Sequence, residues 1–451
     1  MAAVFVAGAQ NFSKEYSFWN SSYINDGQFV YTYSDGFANV GMKGMYGSYS
    51  IALIRTDLNG DTLFTKTLFD TLSKSFLQRS GPDLDGYHYL AFHLNDSACV
   101  ARFSPDWDLQ WIQKFGLVYR SVSLTINRNN DLLINGIEIN SGKRLHLYCL
   151  TSSGNTIWQK SIIPQDFESP ISILELENGD IIVPVQEYDG FEMIHYGLNI
   201  YYFSPTGDSL SYKSVPLTGM WPMVCEVITN NDTMAIIYIN RYTQGNAYHL
   251  MHYRLNGTLI SEKEITLFDS AYGIHSTLLT PDHKILAAGI KAGPDIDFYS
   301  TFIYAMTFNG DSLWSVDYGN NLLAEVSDIQ LCHDGGYIVS GNYGSSANRI
   351  VTLLKTDSLG NLNNLATEQH SISDRISVYP NPANEYTVFE TQKSEAGSKL
   401  TLCDITGRQV AQQVITSEKT VLPTAHLEAG LYLYRIENGQ VISTGKVMVV
   451  K

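Results

Sequence analysis

Long apolar runs are missing from this chain. Its 451 residues contain no stretch of about 18 apolar residues, so no segment has the pattern of a membrane-spanning helix. Positive charge is scarce: 29 Lys and Arg face 45 Asp and Glu, a net −16. Such a surface repels phosphate backbones and anionic lipid, and no nucleic-acid partner is expected. Cysteine is sparse too. Cys99, Cys149, Cys225, Cys332 and Cys403 lie far apart, form no C-x-x-C pair and are odd in number. That excludes a complete disulfide framework and leaves them as small strand residues. The G-x-S-x-G, H-E-x-x-H, Walker A and G-x-G-x-x-G patterns are all absent, so no cofactor is expected. The histidines are dispersed. His249 and His252, like His88 and His93, are an odd number of positions apart, which on a strand points them to opposite faces.

Aromatic residues, by contrast, are abundant: 29 Tyr, 19 Phe and 6 Trp, with only 16% charged residues. This composition favours β-structure over disorder. A turn motif recurs through most of the chain as "DLNGDTLF", "TSSGNTIW", "SPTGDSLS", "RLNGTLIS", "TFNGDSLW" and "DSLGNLNN". Its glycines are Gly60, Gly154, Gly207, Gly257, Gly310 and Gly360, and "SPDWDLQW" supplies the missing copy, with Asp106-Trp107 in place of the glycine turn. A second element recurs in step, a polar turn followed by an apolar run. Its copies are "NDGQFVYTY" (25–33), "LDGYHYLAF" (84–92), "NNDLLINGI" (129–137), "NGDIIVPVQ" (178–186), "NNDTMAIIY" (230–238), "PDHKILAAG" (281–289) and "DGGYIVSGN" (334–342). Trp314, Val316 and Tyr318 alternate with Ser315 and Asp317, a period of two. Each unit of roughly 50 residues thus reads as four antiparallel strands, and seven such units predict a seven-bladed β-propeller over residues 10–365.

The Asn-Gly-Asp turns invite a calcium-loop reading. An EF-hand-type loop needs a bidentate Glu at its twelfth position, but counting from Asp57 that position is Leu68. An Asn-Gly between alternating strands is a hairpin signal, because both residues tolerate positive φ. The outer strand of the last unit, "NLNNLATE", is weak, and the N-terminal "NFSKEYSFW" is a candidate to replace it and close the ring. Ahead of that segment, "MAAVFVAGAQ" reads as the end of a signal peptide, with Ala7-Gly8-Ala9 a cleavage site before Gln10. Residues 1–9 are expected to be a truncated remnant of it.

The repeat stops before residue 366. Residues 366–375 read as a linker and 376–451 as a small all-β sandwich, its strands split by Asn-Pro, Glu-Ala-Gly, Thr-Gly-Arg and Glu-Asn-Gly turns. Within it "YPNPANE" (379–385), "LTLCDITGRQV" (400–410), "LEAGLYLYRI" (427–436) and "GKVMVVK" (445–451) occur in order. Together they resemble the type A C-terminal sorting domain of type IX secretion cargo of Bacteroidota. The resemblance implies an immunoglobulin-like sandwich handled by the type IX translocon and a sortase-like peptidase, and a protein released or held at the cell surface. By motif match it assigns the opening signature to Tyr379, Pro380, Asn381 and Pro382, the central turn to Asp404, Gly407 and Arg408, and the last hairpin to Gly430, Leu431 and Tyr432. Lys446 and Lys451 fall in the terminal segment. Such cargo first crosses the inner membrane with a signal peptide, which agrees with the reading of residues 1–9.

In a four-stranded blade the first and third turns lie at one end and the remaining connections at the other. The longer segments "SDGFANVGMKGMYGS" (34–48), "EYDGFEMIHYGLN" (187–199), "NRYTQGNAY" (240–248), "KAGPDIDFYS" (291–300) and "NYGSSANR" (342–349) all fall at that other end. Binding sites commonly occupy such loops. Tyr119, Phe167, Trp221, Tyr272 and Tyr318 join them there, as an aromatic mouth for a ligand or as wedges between blades. Asp295 and Asp297 form one weak carboxylate pair for a cation. The leading expectation is a secreted or surface propeller that binds a protein, peptide or glycan without catalysis, through an apolar-aromatic mouth free of clustered titratable groups. The alternatives are a hydrolase or lyase acting on an extracellular polymer, and a structural or adhesion component of the cell surface.

Overall fold

Strand pairing follows the repeat. Seven antiparallel sheets succeed one another along the chain, spanning 24–72, 77–114, 119–162, 167–216, 222–265, 271–320 and 325–356. These are blades 1 to 7. In blade 4 the first strand is split into Phe167–Pro170 and Leu174–Glu175. The first strands of neighbouring blades contact one another, whereas fourth strands such as Ser209–Pro216 and Leu259–Ile265 are largely exposed. The first strands are therefore innermost. A computed structural model describes residues 11–17, 24–45, 48–72, 77–79, 81–94, 97–115, 119–138, 144–163, 167–188, 195–217, 222–230, 232–242, 245–265, 271–292, 299–320, 325–345, 348–362, 377–390, 397–404, 408–437 and 441–451. The leader remnant 1–9, the linker 366–375 and the residues Trp221, Asp295, Asp297 and Gly407 lie outside them. The chain divides into two units, Met1–Asn363 and Asn364–Lys451.

The ring closes through the N-terminus. Blade 7 draws three strands from its own repeat (Glu325–Leu331, Tyr337–Ser345 and Asn348–Thr356) and its outer strand from Phe12–Tyr16. Phe12 stands opposite Lys355 and Tyr16 opposite Val351. Apolar clusters then fill every junction, from Val40, Leu53, Leu90 and Trp107 between blades 1 and 2 round to Phe12, Val30, Ile338 and Leu353 between blades 7 and 1. Each blade alone would leave both sheet faces bare. Stacking neighbours buries them, which is why the fold needs the whole ring.

The recurrent glycine turn has a packing reason as well as a conformational one. Gly60, Gly154, Gly207, Gly257, Gly310 and Gly360 all have φ between 76° and 87°. At each, a side chain reaches across from the preceding blade: a Cβ on Gly207 would lie 2.7 Å from Trp158, and one on Gly360 2.7 Å from Trp314. The turn oxygens are occupied too. Asp57 Oδ1 accepts the N–H groups of Asn59 (2.9 Å) and Asp61 (2.8 Å), and Asp357 Oδ1 repeats this with Leu359 and Asn361. "TFNGDSLW" is a hairpin turn, with Gly310 N–H donating to Thr307 O. Blade 2 reverses the arrangement. Trp107 adopts φ 64° itself and sends its own ring back against blade 1, stacked on His88 at 4.2 Å. The left-handed backbone costs about 1 kcal/mol, and burying an indole more than offsets it.

Two sequence expectations need correction. "NDG" at 25–27 is not a turn, because the first strand of blade 1 runs through it as Ile24–Tyr33 and the turn falls at Ser34-Asp35. Gly27 serves close approach instead: a Cβ there would meet Val351 Cγ1 at 2.6 Å. The connections between second and third strands are also shorter than expected. Gly36–Met45 is a strand, and only residues 46–47, 243–244 and 346–347 separate those strands in blades 1, 5 and 7.

The second unit pairs two sheets: Ser377–Tyr379, Tyr386–Glu390 and Lys419–Pro423 form one, and Gln409–Val414, Lys399–Asp404, Gly430–Glu437 and Val441–Val449 the other. Buried and exposed residues alternate along Lys419–Pro423, and Phe389 of one sheet meets Tyr434 of the other edge to face at 5.0 Å. That is a sandwich core.

Candidate functional site

Tyr119 opens the innermost strand of blade 3, Phe167 that of blade 4, and Tyr272 is the second residue of Ala271–Leu279 in blade 6. Trp221 directly precedes Pro222, where the inner strand of blade 5 begins. Tyr119 and Phe167 thus begin their innermost strands, and Tyr272 stands one position inside its own. The side chains of Tyr119, Phe167 and Tyr272 lie outside the described residues. Tyr318 is placed differently. Its hydroxyl donates to Gly360 O at 2.6 Å, in the third turn of blade 7, and burial drives its pKa up. Tyr16 makes the same bond to Gly60 O at 2.7 Å, one blade further round.

At blades 7 and 1 the mouth is charged. Glu325 is the first residue of its inner strand, Asn342 pairs with it in register, and Arg349 is the second residue of the third strand. Arg349 Nη1 lies 2.9 Å from Glu325 Oε2 and 3.6 Å from Asp26 Oδ1. The Asn342 amide donates to Asp26, while its Oδ1 accepts the Gly27 N–H at 2.7 Å. Burial raises the Asp26 pKa, with Arg349 opposing. The described part of the mouth therefore holds clustered titratable groups, unlike the apolar-aromatic mouth expected.

Bulges re-aim the inner strands deeper in the wall. They occur at Gly27/Phe29, Val224/Glu226, Ile274/Ser276 and Val326/Asp328. Asp328, buried, accepts Val30 N–H at 2.9 Å and pairs with Arg79 Nη2 at 2.6 Å, joining blades 7, 1 and 2. Burial raises its pKa against the pull of Arg79. Glu226 accepts the Val227 N–H at 3.1 Å. It is half-buried by solvent access, yet surrounding protein pushes its pKa up to about 7. His275, bulged out in the next blade and exposed, has its pKa lowered by the same desolvation. Solvent reaches both groups, but too little to solvate their charges fully, as along a channel wall. No sequence signal marked them, because a bulge breaks the period that sequence reading relies on. Among the described residues, no group of three or more His, Cys, Asp or Glu is placed to hold a metal ion. A cleft of about 530 Å³ lies at the opposite end, between blades 6 and 7, lined by Leu313, Trp314, Tyr337 and Leu359.

In the sandwich the dispersed motifs meet. Asn381 clamps the terminal strand, donating to Lys446 O (2.9 Å) and accepting Met448 N–H (2.8 Å). Tyr379 and Asn381 precede cis Pro380 and Pro382, and the Tyr379 hydroxyl donates to Glu390. Asp404 accepts from Arg408 N–H and Nε at 3.1 and 3.0 Å. Gly430 and Leu431 open the strand that carries Tyr432, whose hydroxyl donates to Glu428 O. Lys451 Nζ donates to Ala425 O, and Lys446 is exposed. Residues 377–451 match the family described as "Secretion system C-terminal sorting domain". The C-terminal module is a type IX secretion sorting domain. The protein that carries this sorting domain is accordingly secreted or attached to the cell surface.

No curated protein matches the chain. Among solved structures it is similar to the Dos1 propeller (8% identity, 78% of this chain and 97% of that one, TM-score 0.47). It is also similar to the polysaccharide lyase Uly1 (10%, 76% and 92%, 0.46) and to virginiamycin B lyase from Staphylococcus aureus (12%, 76% and 99%, 0.43). Identities this low concern the fold alone.

Proposed function

We propose that the propeller is the ligand-binding module of an exported protein, taking an extracellular protein, peptide or glycan at the mouth formed by the starts of its innermost strands, without catalysis. The cluster of Asp26, Glu325, Asn342 and Arg349 at blades 7 and 1, with Tyr119 and Phe167 at the inner-strand starts of blades 3 and 4, supports this reading. A rigid ring that holds planar polar groups at fixed positions needs little ordering on binding. The test is the thermal stability of the full chain across peptides, oligosaccharides and divalent cations, since a ligand of the native state raises apparent stability by mass action. A shift lost in Tyr272→Ala supports the reading. A shift indifferent to every mouth substitution sinks it.

A second reading, a hydrolase or lyase on an extracellular polymer, draws support from Glu226, whose raised pKa suits a general acid or base. Turnover of a polymer that Glu226→Gln abolishes without loss of binding would establish it.

A further inference from the structure

We propose that the cleft between blades 6 and 7, at the turn end of the ring, is a second binding site, and that it takes a proline-rich peptide segment flanked by basic residues. The cleft, of about 530 Å³, lies between the first turns of the two blades and the third turn of blade 7. Trp314 and Tyr337 are its aromatic part, their rings 6.0 Å apart and tilted by 37°, a wedge and not a flat platform. Leu313 and Leu359 stand beside them, 44% and 58% exposed. This junction departs from the repeat. Six places after the turn glycine, Lys66, Lys160 and Lys263 in blades 1, 3 and 5 each pair with an aspartate of the next blade. In blade 6 that place is Val316, and the turn position it would meet is Asn361.

Two donors are left over. Trp111 covers Gly154 as Trp314 covers Gly360, but Trp111 Nε1 donates to Ser152 O at 3.0 Å. Trp314 Nε1 makes no hydrogen bond among the described residues, and neither does the hydroxyl of Tyr337, a residue only 5% exposed. Burial raises the Tyr337 pKa against the pull of Lys284, so the hydroxyl keeps its proton. An apolar wedge with an indole N–H and a phenol O–H to give suits a ligand that is apolar and rich in acceptors. A polyproline II segment has both properties, because its rings are apolar and its carbonyls have no internal partner. Its fixed φ also leaves little entropy to lose on binding. A sugar fits less well, since it stacks on a flat face and brings hydroxyls that need acceptors. Charge selects the flanks. Asp282 lines the cleft, and Asp334 and Asp357 precede its Gly335 and Ser358. Against these three stand Lys284, paired with Asp282, and the fully buried Lys355, paired with Asp334. The rim is negative, so Lys or Arg beside the prolines is favoured.

The experiment is calorimetric titration of the full chain with an arginine-flanked oligoproline, a glutamate-flanked oligoproline, a glycine–serine peptide of equal length and a neutral oligosaccharide. It is repeated in Tyr337→Phe, Trp314→Phe, Leu359→Ser and, at the mouth, Tyr272→Ala, each first shown to melt within a few degrees of the parent. Tyr337→Phe and Leu359→Ser keep the test open if Trp314→Phe fails to fold. The expected result is binding of the arginine-flanked oligoproline, several-fold tighter than its glutamate-flanked counterpart. It should weaken several-fold in Tyr337→Phe and in Leu359→Ser, and be unchanged in Tyr272→Ala. Absence of oligoproline binding overturns the inference, as does binding that no cleft substitution weakens or that the glycine–serine peptide equals. An oligosaccharide that binds in place of the oligoproline and is lost in the cleft variants overturns the choice of a peptide. Loss of oligoproline binding in Tyr272→Ala assigns it to the mouth and overturns the inference while leaving the mouth reading standing.

Discussion

The two ends of the blades obey different rules. At the end that holds the first and third turns one device recurs: at six junctions a side chain of one blade covers the third turn of the next, and at four a lysine pairs with an aspartate there. Lys14–Asp61, Lys66–Asp108, Lys160–Asp208 and Lys263–Asp311 are four examples, at 2.5 to 2.7 Å. At the mouth end the blades diverge, with Tyr119 and Phe167 opening blades 3 and 4, Pro222 and Ala271 opening blades 5 and 6, and a carboxylate–guanidinium cluster at blades 7 and 1. Repetition at one end marks the solution to a packing problem that every blade shares. Divergence at the other is what a ligand site on a symmetric scaffold requires, because one ligand cannot touch seven identical surfaces usefully.

Breaking the repetitive end is expected to cost stability and to spare binding. The largest effect belongs to the clasp. Removing residues 12–16 strips blade 7 of its outer strand and exposes the Ile338 and Leu353 cluster, so the full chain should lose its single cooperative melt. Next is Trp107→Ala, which empties the site stacked on His88 and should cost about 3–5 kcal/mol in denaturant unfolding. Asp328→Ala leaves Arg79 buried without its partner and should cost on the order of 3 kcal/mol by the same measurement.

Two titrations sharpen the contrast. His88 accepts the Tyr33 hydroxyl proton at 2.9 Å, while that hydroxyl takes the Trp107 indole N–H at 3.1 Å, an arrangement suited to a neutral ring. Burial lowers its pKa from 6.5 to about 4. Below pH 6.5 the unfolded chain binds a proton that the folded one refuses, so stability should fall between pH 6.5 and 4, by up to about 3 kcal/mol. Glu226 runs the other way. Its pKa rises on folding from 4.5 to about 7, so the native state is favoured by protonation and penalised as pH rises through that window. Glu226→Gln should therefore raise the melting temperature at pH 8 and change it little at pH 4. The smallest effect is Lys66→Ala, an exposed pair expected to be worth under about 1 kcal/mol.

Much of this was legible in the sequence where chemistry repeats. The glycine turns, the seven units and the replacement of the glycine by Trp107 can all be read from it, because each copy restates the same backbone demand. So can the sorting module, whose four motifs lie in order. The reading failed at Gly27, because a glycine needed for close approach to Val351 looks the same as one needed for a turn. It also missed Glu226, His275 and Asp328. They reach the inner wall through bulges, and their partners come from other blades, as with Arg79, whose number is far from that of Asp328.

The most direct test sets the two ends against each other in one ligand titration of the full chain. Tyr272→Ala alters the mouth, and Lys160→Ala alters the turn end. The account predicts that Tyr272→Ala weakens binding at least about tenfold while Lys160→Ala leaves it unchanged. Equal loss in both, or loss in Lys160→Ala alone, would contradict it.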